Sequence, residues 1–191
     1  MPTAQVVPYW PASLTTERLL LRPVVEADTP VLTRLWTDVE VRRYLGGPLA
    51  EEAARTRARR CVGVTGLFTV VRQLDDTALG SVFVAPEARD GRTEVSYQLV
   101  PEYWGSGYAQ EAVAAAVRWA AAEVPARVPG VVAVTQAANE SSRRLLERLG
   151  ATPADTFVEW NAPQVTYRFD HSPTRPTPPP QRGDTPDGCR P

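Results

Sequence analysis

The chain has 191 residues, 43% of them hydrophobic and 23% charged, with a formal net charge of −1. That is enough for one domain with a proper core, and the composition is ordinary for a soluble globular protein. The near-neutral balance excludes a global field for DNA or RNA, and no apolar run reaches membrane-spanning length, so neither nucleic acid nor membrane is an expected partner. Cys61 and Cys189 have no companions at metal-ligand spacing, and the only histidine is His171. A disulfide framework, a zinc site and a histidine-based triad are therefore disfavoured, and no metal is expected. Without a secretory leader pattern, the chain reads as cytoplasmic and reduced.

Residues 1–13 carry Pro2, Pro8 and Pro11 and read as a leader without regular structure. The domain is expected over residues 14–170. Arg18–Pro23 reads as a first strand. Asp28-Thr29-Pro30 supplies a cap and an N-terminal proline for a helix to about Trp36. Glu51–Arg60 is a charged second helix, with Arg55, Arg57, Arg59 and Arg60 read as a solvated face. Leu67–Arg72, Leu79–Ala85 and Thr93–Val100 are β-rich. The short turns at Asp75-Asp76 and Asp90-Gly91 predict an antiparallel meander. A helix from Tyr108 to about Glu123 places Val113, Val117, Ala120 and Val124 on one stripe. Val131–Thr135 is continuously apolar, as a buried strand should be. Asn139 caps a helix ending at Gly150, with Leu145, Leu146 and Leu149 as its apolar face. Phe157–Trp160 and Val165–Phe169 form a final hairpin. Residues 171–191 are rich in proline and poor in apolar side chains, and are expected to form a disordered tail. The fold class is mixed α/β (α+β), and there is no internal repeat.

The chemistry concentrates in Pro101-Glu102-Tyr103-Trp104-Gly105-Ser106-Gly107-Tyr108-Ala109. Glycines between a strand and a helix start let the backbone turn tightly and approach a ligand. The first turn of the helix offers unpaired N–H groups and a dipole end that favours anions. Such a place suits a phosphate or pyrophosphate. No Gly-Lys-Ser/Thr follows, which disfavours a P-loop. The third glycine of a Rossmann site is missing as well. The plainer alternatives are that Gly105 and Gly107 only turn the chain, and that Asn139 and Ser142 only cap a helix.

Two units together, the strand–Gly105-x-Gly107–helix and the later strand followed by Asn139-x-x-Ser142 and Leu149-Gly150, resemble the GNAT superfamily of N-acetyltransferases. Thr16-Glu17-Arg18-Leu19-Leu20-Leu21-Arg22-Pro23 and Val41-Arg42-Arg43-Tyr44-Leu45-Gly46-Gly47 are similar to the branch containing the ribosomal-protein N-terminal acetyltransferases. The resemblance implies a mostly antiparallel sheet flanked by helices, with a splay between the family's fourth and fifth strands. Here those are Ser96–Val100 and Val131–Thr135. It implies acetyl-CoA as co-substrate and an amine acceptor. Main-chain groups near Leu99 and Val100 would take the pantetheine arm, and a main-chain N–H near Leu99 the developing oxyanion. Amides of Trp104, Gly105, Ser106, Gly107, Tyr108 and Ala109 would hold the pyrophosphate, and Asn139 would lie beside the cofactor. Ser142 would serve the departing thiolate, Glu94 or Glu159 would act as base, and Tyr44 and Trp160 would line the acceptor pocket.

Three departures stand out. Leu146 replaces a tyrosine general acid of many relatives, Glu102 places an acid near the phosphates, and Ala151 replaces a common phenylalanine. The first two leave open a non-catalytic acyl-CoA sensor, and the tail leaves open a partner-binding role. The acceptor stays open among a protein N-terminus, an antibiotic and a polyamine, and the assembly between monomer and homodimer. Cys61 is not expected to be a nucleophile.

Overall fold

A computed structural model describes residues 9–169. The expectations for the first eight residues, for the 171–191 tail, and for His171 and Cys189 lie outside the described residues.

The order is β1 (Leu14–Thr15), β2 (Leu19–Pro23), a 3-10 turn at Glu26–Asp28, α1 (Thr29–Thr37), α2 (Val39–Arg42), α3 (Glu51–Arg60), β3 (Leu67–Arg72), β4 (Thr77–Arg89), β5 (Arg92–Leu99), a 3-10 turn at Pro101–Tyr103, α4 (Tyr108–Glu123), β6 (Val131–Gln136), α5 (Glu140–Arg148), β7 (Thr152–Glu159) and β8 (Ala162–Phe169). The strands form one sheet in the order β1-β2-β3-β4-β5-β6-β8-β7. Every pairing is antiparallel except β5 with β6. The expected meander is β3-β4-β5, and the expected hairpin is β7-β8. That hairpin turns at Trp160 and Asn161, both at positive φ, as a tight two-residue connection requires.

Two helical layers cover the sheet. On one face α4 buries Val113, Ala116, Val117 and Ala120, and α5 buries Leu146, against Leu21, Phe68, Val82, Val84 and Val95. On the other, α1 and α3 pack Leu32, Leu35 and Ala58 with Val24, Val41 and Val100 in a smaller core. The leader is not a bystander. Tyr9 and Trp10 pack edge-on against Trp119 and Phe68, with ring centroids 5.0–6.4 Å apart, so the end of the proline-marked segment closes the main core without regular structure.

Two local devices fix the layers. Asp28 is 3% exposed and takes a two-pronged bond from Arg22 (2.7 and 2.9 Å), the Val25 N–H (2.9 Å) and the Thr69 hydroxyl (2.7 Å). The carboxylate thus makes no side-chain cap bond to α1, contrary to expectation, and instead ties β2, the turn before α1 and β3 together. Helix α5 ends as its sequence predicts. Gly150 at φ 83° lets its own N–H reach Glu147 O (2.9 Å) and the Ala151 N–H reach Leu146 O (3.0 Å), a closed pair of C-terminal bonds. The one-turn helix α2 has no apolar period to announce it. It exists because the Asp38 carboxylate accepts the N–H groups of Glu40 (2.9 Å) and Val41 (3.1 Å).

Candidate active site

Strands β5 and β6 pair only at Thr93 with Val131 and Glu94 with Val132. Beyond those residues they part, which opens the sheet. The register of β4 against β5 decides which groups face the opening. The Val100 N–H donates to Leu79 O at 2.9 Å, and the pairing then runs unbroken from Gly80–Leu99 to Ala85–Glu94. Antiparallel pairs alternate, so the main-chain groups of Val95, Tyr97 and Leu99 point away from β4, toward β6. The Leu99 carbonyl accepts the Trp104 indole N–H at 2.7 Å, and its N–H faces the gap. Val100 differs from expectation: its N–H is spent on β4 and is not offered to the opening.

The glycine turn follows directly. Gly105 (φ 73°) and Gly107 (φ 81°) both take left-handed conformations. A Cβ built at Gly105 meets nothing within 4 Å. The Trp104 N–H, expected in the cradle, is instead spent on Pro101 O (3.0 Å). Among the described residues, the amides of Gly105 through Gln110 make no main-chain hydrogen bond, and the first such bond in the helix is Glu111 N–H to Gly107 O (3.0 Å). The concave run of donors is thus free for an anion.

Arg18, from the opening strand motif, braces this turn. Its guanidinium donates to Ser106 O (3.0 Å) and to Glu111 (2.7 Å), and lies 4.5 Å from the centre of the Tyr108 ring. Burial alone would raise the Glu111 pKa, but bonds from Thr16, the Arg18 N–H and the Arg18 side chain hold the carboxyl below its ordinary value. Glu102, the acid that raised a doubt about phosphate, is paired with Arg34 of α1. Its own N–H and that arginine keep its pKa low, and the pairing offsets its charge.

On the far side of the opening, Asn139 caps α5 by accepting the Ser142 N–H at 3.1 Å. The Ser142 hydroxyl does not turn back to the cap. It pairs with the Tyr97 hydroxyl at 2.9 Å, linking β5 to α5 where the sheet parts. Burial pushes the Tyr97 pKa up to about 12, with Ser142 opposing, so the phenol keeps its proton. Tyr97 is the residue that sequence reasoning missed. Its alternation with Val95 and Leu99 marks it as core-facing, and only the folded register brings it to Ser142. Leu146, where many relatives were expected to carry a tyrosine, is fully buried in the core, and Ala151 is buried there too.

The two glutamates converge on one arginine. Arg89 lies 3.5 Å from Glu94 and 3.7 Å from Glu159, over the Phe157 ring. Burial raises the Glu94 pKa; Arg89 opposes this and Glu159 adds to it. Glu94 alternates with Ser96 and Gln98, so these three share the sheet face that carries α1 and α3.

On that face lies a cleft of about 270 Å³, walled by Leu32, Leu35 and Trp36 of α1, Arg57 of α3, Ser81 and Phe83 of β4, and Ser96, Tyr97 and Gln98 of β5. Tyr44 and Trp160 are not among its lining residues; Trp160 is 78% exposed at the hairpin tip. Cys61 does line the cleft. Burial raises its pKa, which keeps it a thiol and a poor nucleophile. Arg55, Arg57, Arg59 and Arg60 are all exposed, as a solvated face requires, and Arg57 in addition lays its guanidinium 3.9 Å from the Trp36 ring centre. No described helix is long and apolar enough to cross a membrane. No group of three or more metal-ligating side chains occurs among the described residues.

Known proteins share this plan. The family described as Acetyltransferase (GNAT) domain matches residues 18–152. The chain is 30% identical over 109 residues to the uncharacterized N-acetyltransferase p20 of Bacillus licheniformis, a match covering 53% of this chain and 61% of that one. It is 30% identical over 159 residues to the FsC-acetyl coenzyme A-N(2)-transacetylase of Aspergillus fumigatus, covering 76% of this chain and 67% of that one. A crystal structure of a GNAT-family acetyltransferase from Bacillus anthracis superposes with a TM-score of 0.74 at 22% identity, over 83% of this chain and 98% of that one. The matched span runs from the Arg18 brace through the parted strands and the glycine turn to the capped helix α5, and by it the chain belongs to the GNAT family of N-acetyltransferases.

Proposed function

We propose that the protein transfers the acetyl group of acetyl-CoA directly to a primary amine held in the cleft beside β5, as a cytoplasmic enzyme without a metal. The observation that carries this reading is the parting of β5 from β6 immediately beside a turn of unpaired amides. An open cradle at Gly105, the Arg18 brace, and inward-facing main-chain groups of Tyr97 and Leu99 fit a pyrophosphate followed by an extended amide-bearing arm. Acetyl-CoA, when bound, supplies an activated acetyl thioester. The amides from Gly105 to Ala109 would hold its diphosphate, with Asn139 beside the arm.

The chain's own residues then have distinct tasks. The acceptor amine must lose a proton, and Glu94, held by Arg89 beside the cleft wall, would receive it. It lies on the same strand face as Ser96 and Gln98 in the cleft wall, and burial raises its basicity. Glu159 acts on Glu94 through their shared Arg89. The Leu99 N–H is fixed by the β4-β5 ladder and presented to negative charge as it develops on the acetyl oxygen. Ser142, hydrogen-bonded to the still-protonated Tyr97, would donate a hydrogen bond to the departing thiolate, keeping its own proton. That pair takes the place left by Leu146, which favours turnover over a sensor role.

The test is thiol release. Acetyl-CoA with a panel of amines and peptides should liberate free CoA only when an acceptor is present. Tight binding of acetyl-CoA with no release across a broad panel would contradict the enzymatic reading.

A further inference from the structure

The acceptor cleft has an unusual charge pattern. Arg57 is the one charged side chain in its lining, which is otherwise aromatic, aliphatic, thiol, hydroxyl or amide. Its exposed guanidinium lies over Trp36, 3.9 Å from the ring centre, and no described carboxylate pairs with Arg57. Arg42 stands on the same ring at 4.7 Å, with its donors spent on the carbonyls of Leu45 and Gly47. Charge from Arg57 also lowers the Arg42 pKa, after burial. Glu94 is held at Arg89; Glu52 shares an adjoining outer groove with Arg57 and Arg60 but forms no ion pair with Arg57. A second group in the wall is also short of a partner. The Gln98 side-chain oxygen is buried and accepts no hydrogen bond.

These are two complementary vacant valences in one small cleft. A stacked guanidinium recognises a planar carboxylate. A buried amide oxygen calls for an N–H donor, since leaving it unpaired costs about 1–3 kcal/mol. The cleft, at about 270 Å³, falls just under the usual span for drug-sized ligands, roughly 300–1,000 Å³, and so suits a small molecule. Its leucines and Phe83 ask for an apolar body. A polycation would meet Arg57 with no opposing carboxylate in the wall.

We propose that the acceptor is a small amino acid, an amine carrying a carboxylate and an apolar body. Arg57 takes the carboxylate and the Gln98 side-chain oxygen takes an amine N–H. This rests on the acetyltransferase reading above and names the substrate class of the same cleft.

The test uses matched pairs: leucine with leucinamide, phenylalanine with phenylalaninamide, 6-aminohexanoate with its amide, and spermidine as the polycation. Each is titrated calorimetrically into the CoA-saturated full chain, and each is assayed for thiol release. At least one acid is expected to bind about tenfold or more tightly than its amide, the scale of one charge-assisted bond, and spermidine is expected not to bind. Arg57→Gln should erase the preference while leaving the CoA dissociation constant unchanged, and Arg57→Lys should keep part of it. Gln98→Leu should weaken acid and amide alike. Amides bound as well as acids, a preference that survives Arg57→Gln, or no member binding to a CoA-saturated protein would each overturn the proposal. Failure to bind CoA at all would instead count against the acetyltransferase reading.

Discussion

Replacing Gly80 by alanine places a methyl carbon 2.1 Å from the Gln98 carbonyl oxygen and 2.7 Å from the Leu99 Cα. Ordinary contact begins at 3.4 Å, so the first contact is too short by about 1 Å. Both neighbours are backbone within the paired β4-β5 ladder, and neither can rotate aside. The strand carrying Leu99 must therefore shift toward the opening. Overpacking of this kind costs about 1–3 kcal/mol of stability. A displacement near 1 Å at a catalytic donor costs on the order of 10²-fold in rate. The same shift disturbs the arm's contacts at Tyr97 and Leu99 but leaves the diphosphate cradle of the later glycine turn in place, so CoA affinity should fall by less than turnover. Urea unfolding, thiol-release kinetics and calorimetric titration of CoA measure the three quantities separately. A Gly80→Ala protein with unchanged kcat, or one whose CoA affinity falls as far as its kcat, would refute the reasoning about the Leu99 N–H.

Three further outcomes are expected. Asp28→Ala leaves the half-buried Arg22, 29% exposed, and the buried Thr69 hydroxyl without their partner, and should cost about 1–3 kcal/mol by chemical denaturation. In the native protein burial alone would raise the Asp28 pKa, but bonds from Arg22, Val25 and Thr69 hold it low. That stabilisation is therefore complete above the unfolded value of about 3.9 and is lost as pH falls through the lower folded value; a loss on raising the pH instead would contradict this. The rate should show an acid limb above the ordinary glutamate range, because burial raises the Glu94 pKa. Glu94→Gln should remove that limb and about 10²–10⁴ of the rate, while Glu159→Gln, by deleting a like charge, should shift the limb to lower pH. Ser142→Ala and Tyr97→Phe should each lower kcat more than CoA affinity, and their effects should be non-additive by about 0.5–3 kcal/mol; simple additivity would show that the 2.9 Å pair does not act as a unit.

Much of the frame was legible because local chemistry and global packing agree along it. Glu51–Arg60 and Leu67–Arg72 match their elements residue for residue, and α4 and the α5 cap lie where glycine and asparagine predict them. Strand β4 runs longer than expected, from Thr77 to Arg89, because its far end crosses a bulge before closing on β5, and no period-two pattern survives a bulge. The cradle was legible because Gly105 and Gly107 stand at a strand–helix junction. The cleft was not. Its walls come from α1, α3, β4 and β5, and nothing in the Arg55–Arg60 run distinguishes Arg57, which the fold sets on Trp36, from its neighbours. The same holds for Tyr97 and Ser142, 45 residues apart and joined only by the way the sheet parts.

The account depends most on the amide cradle beside the opened sheet. Calorimetric titration of CoA into the native protein and into Gly107→Trp tests it directly. At Gly107 the backbone is at φ 81° and an added Cβ would already meet Arg18 at 3.3 Å, so an indole there fills the cradle. Saturable binding to the native chain and its loss in a still-folded variant is the predicted result. A native protein that shows no association with CoA or acetyl-CoA, or a Gly107→Trp protein that binds as the native one does, would contradict it.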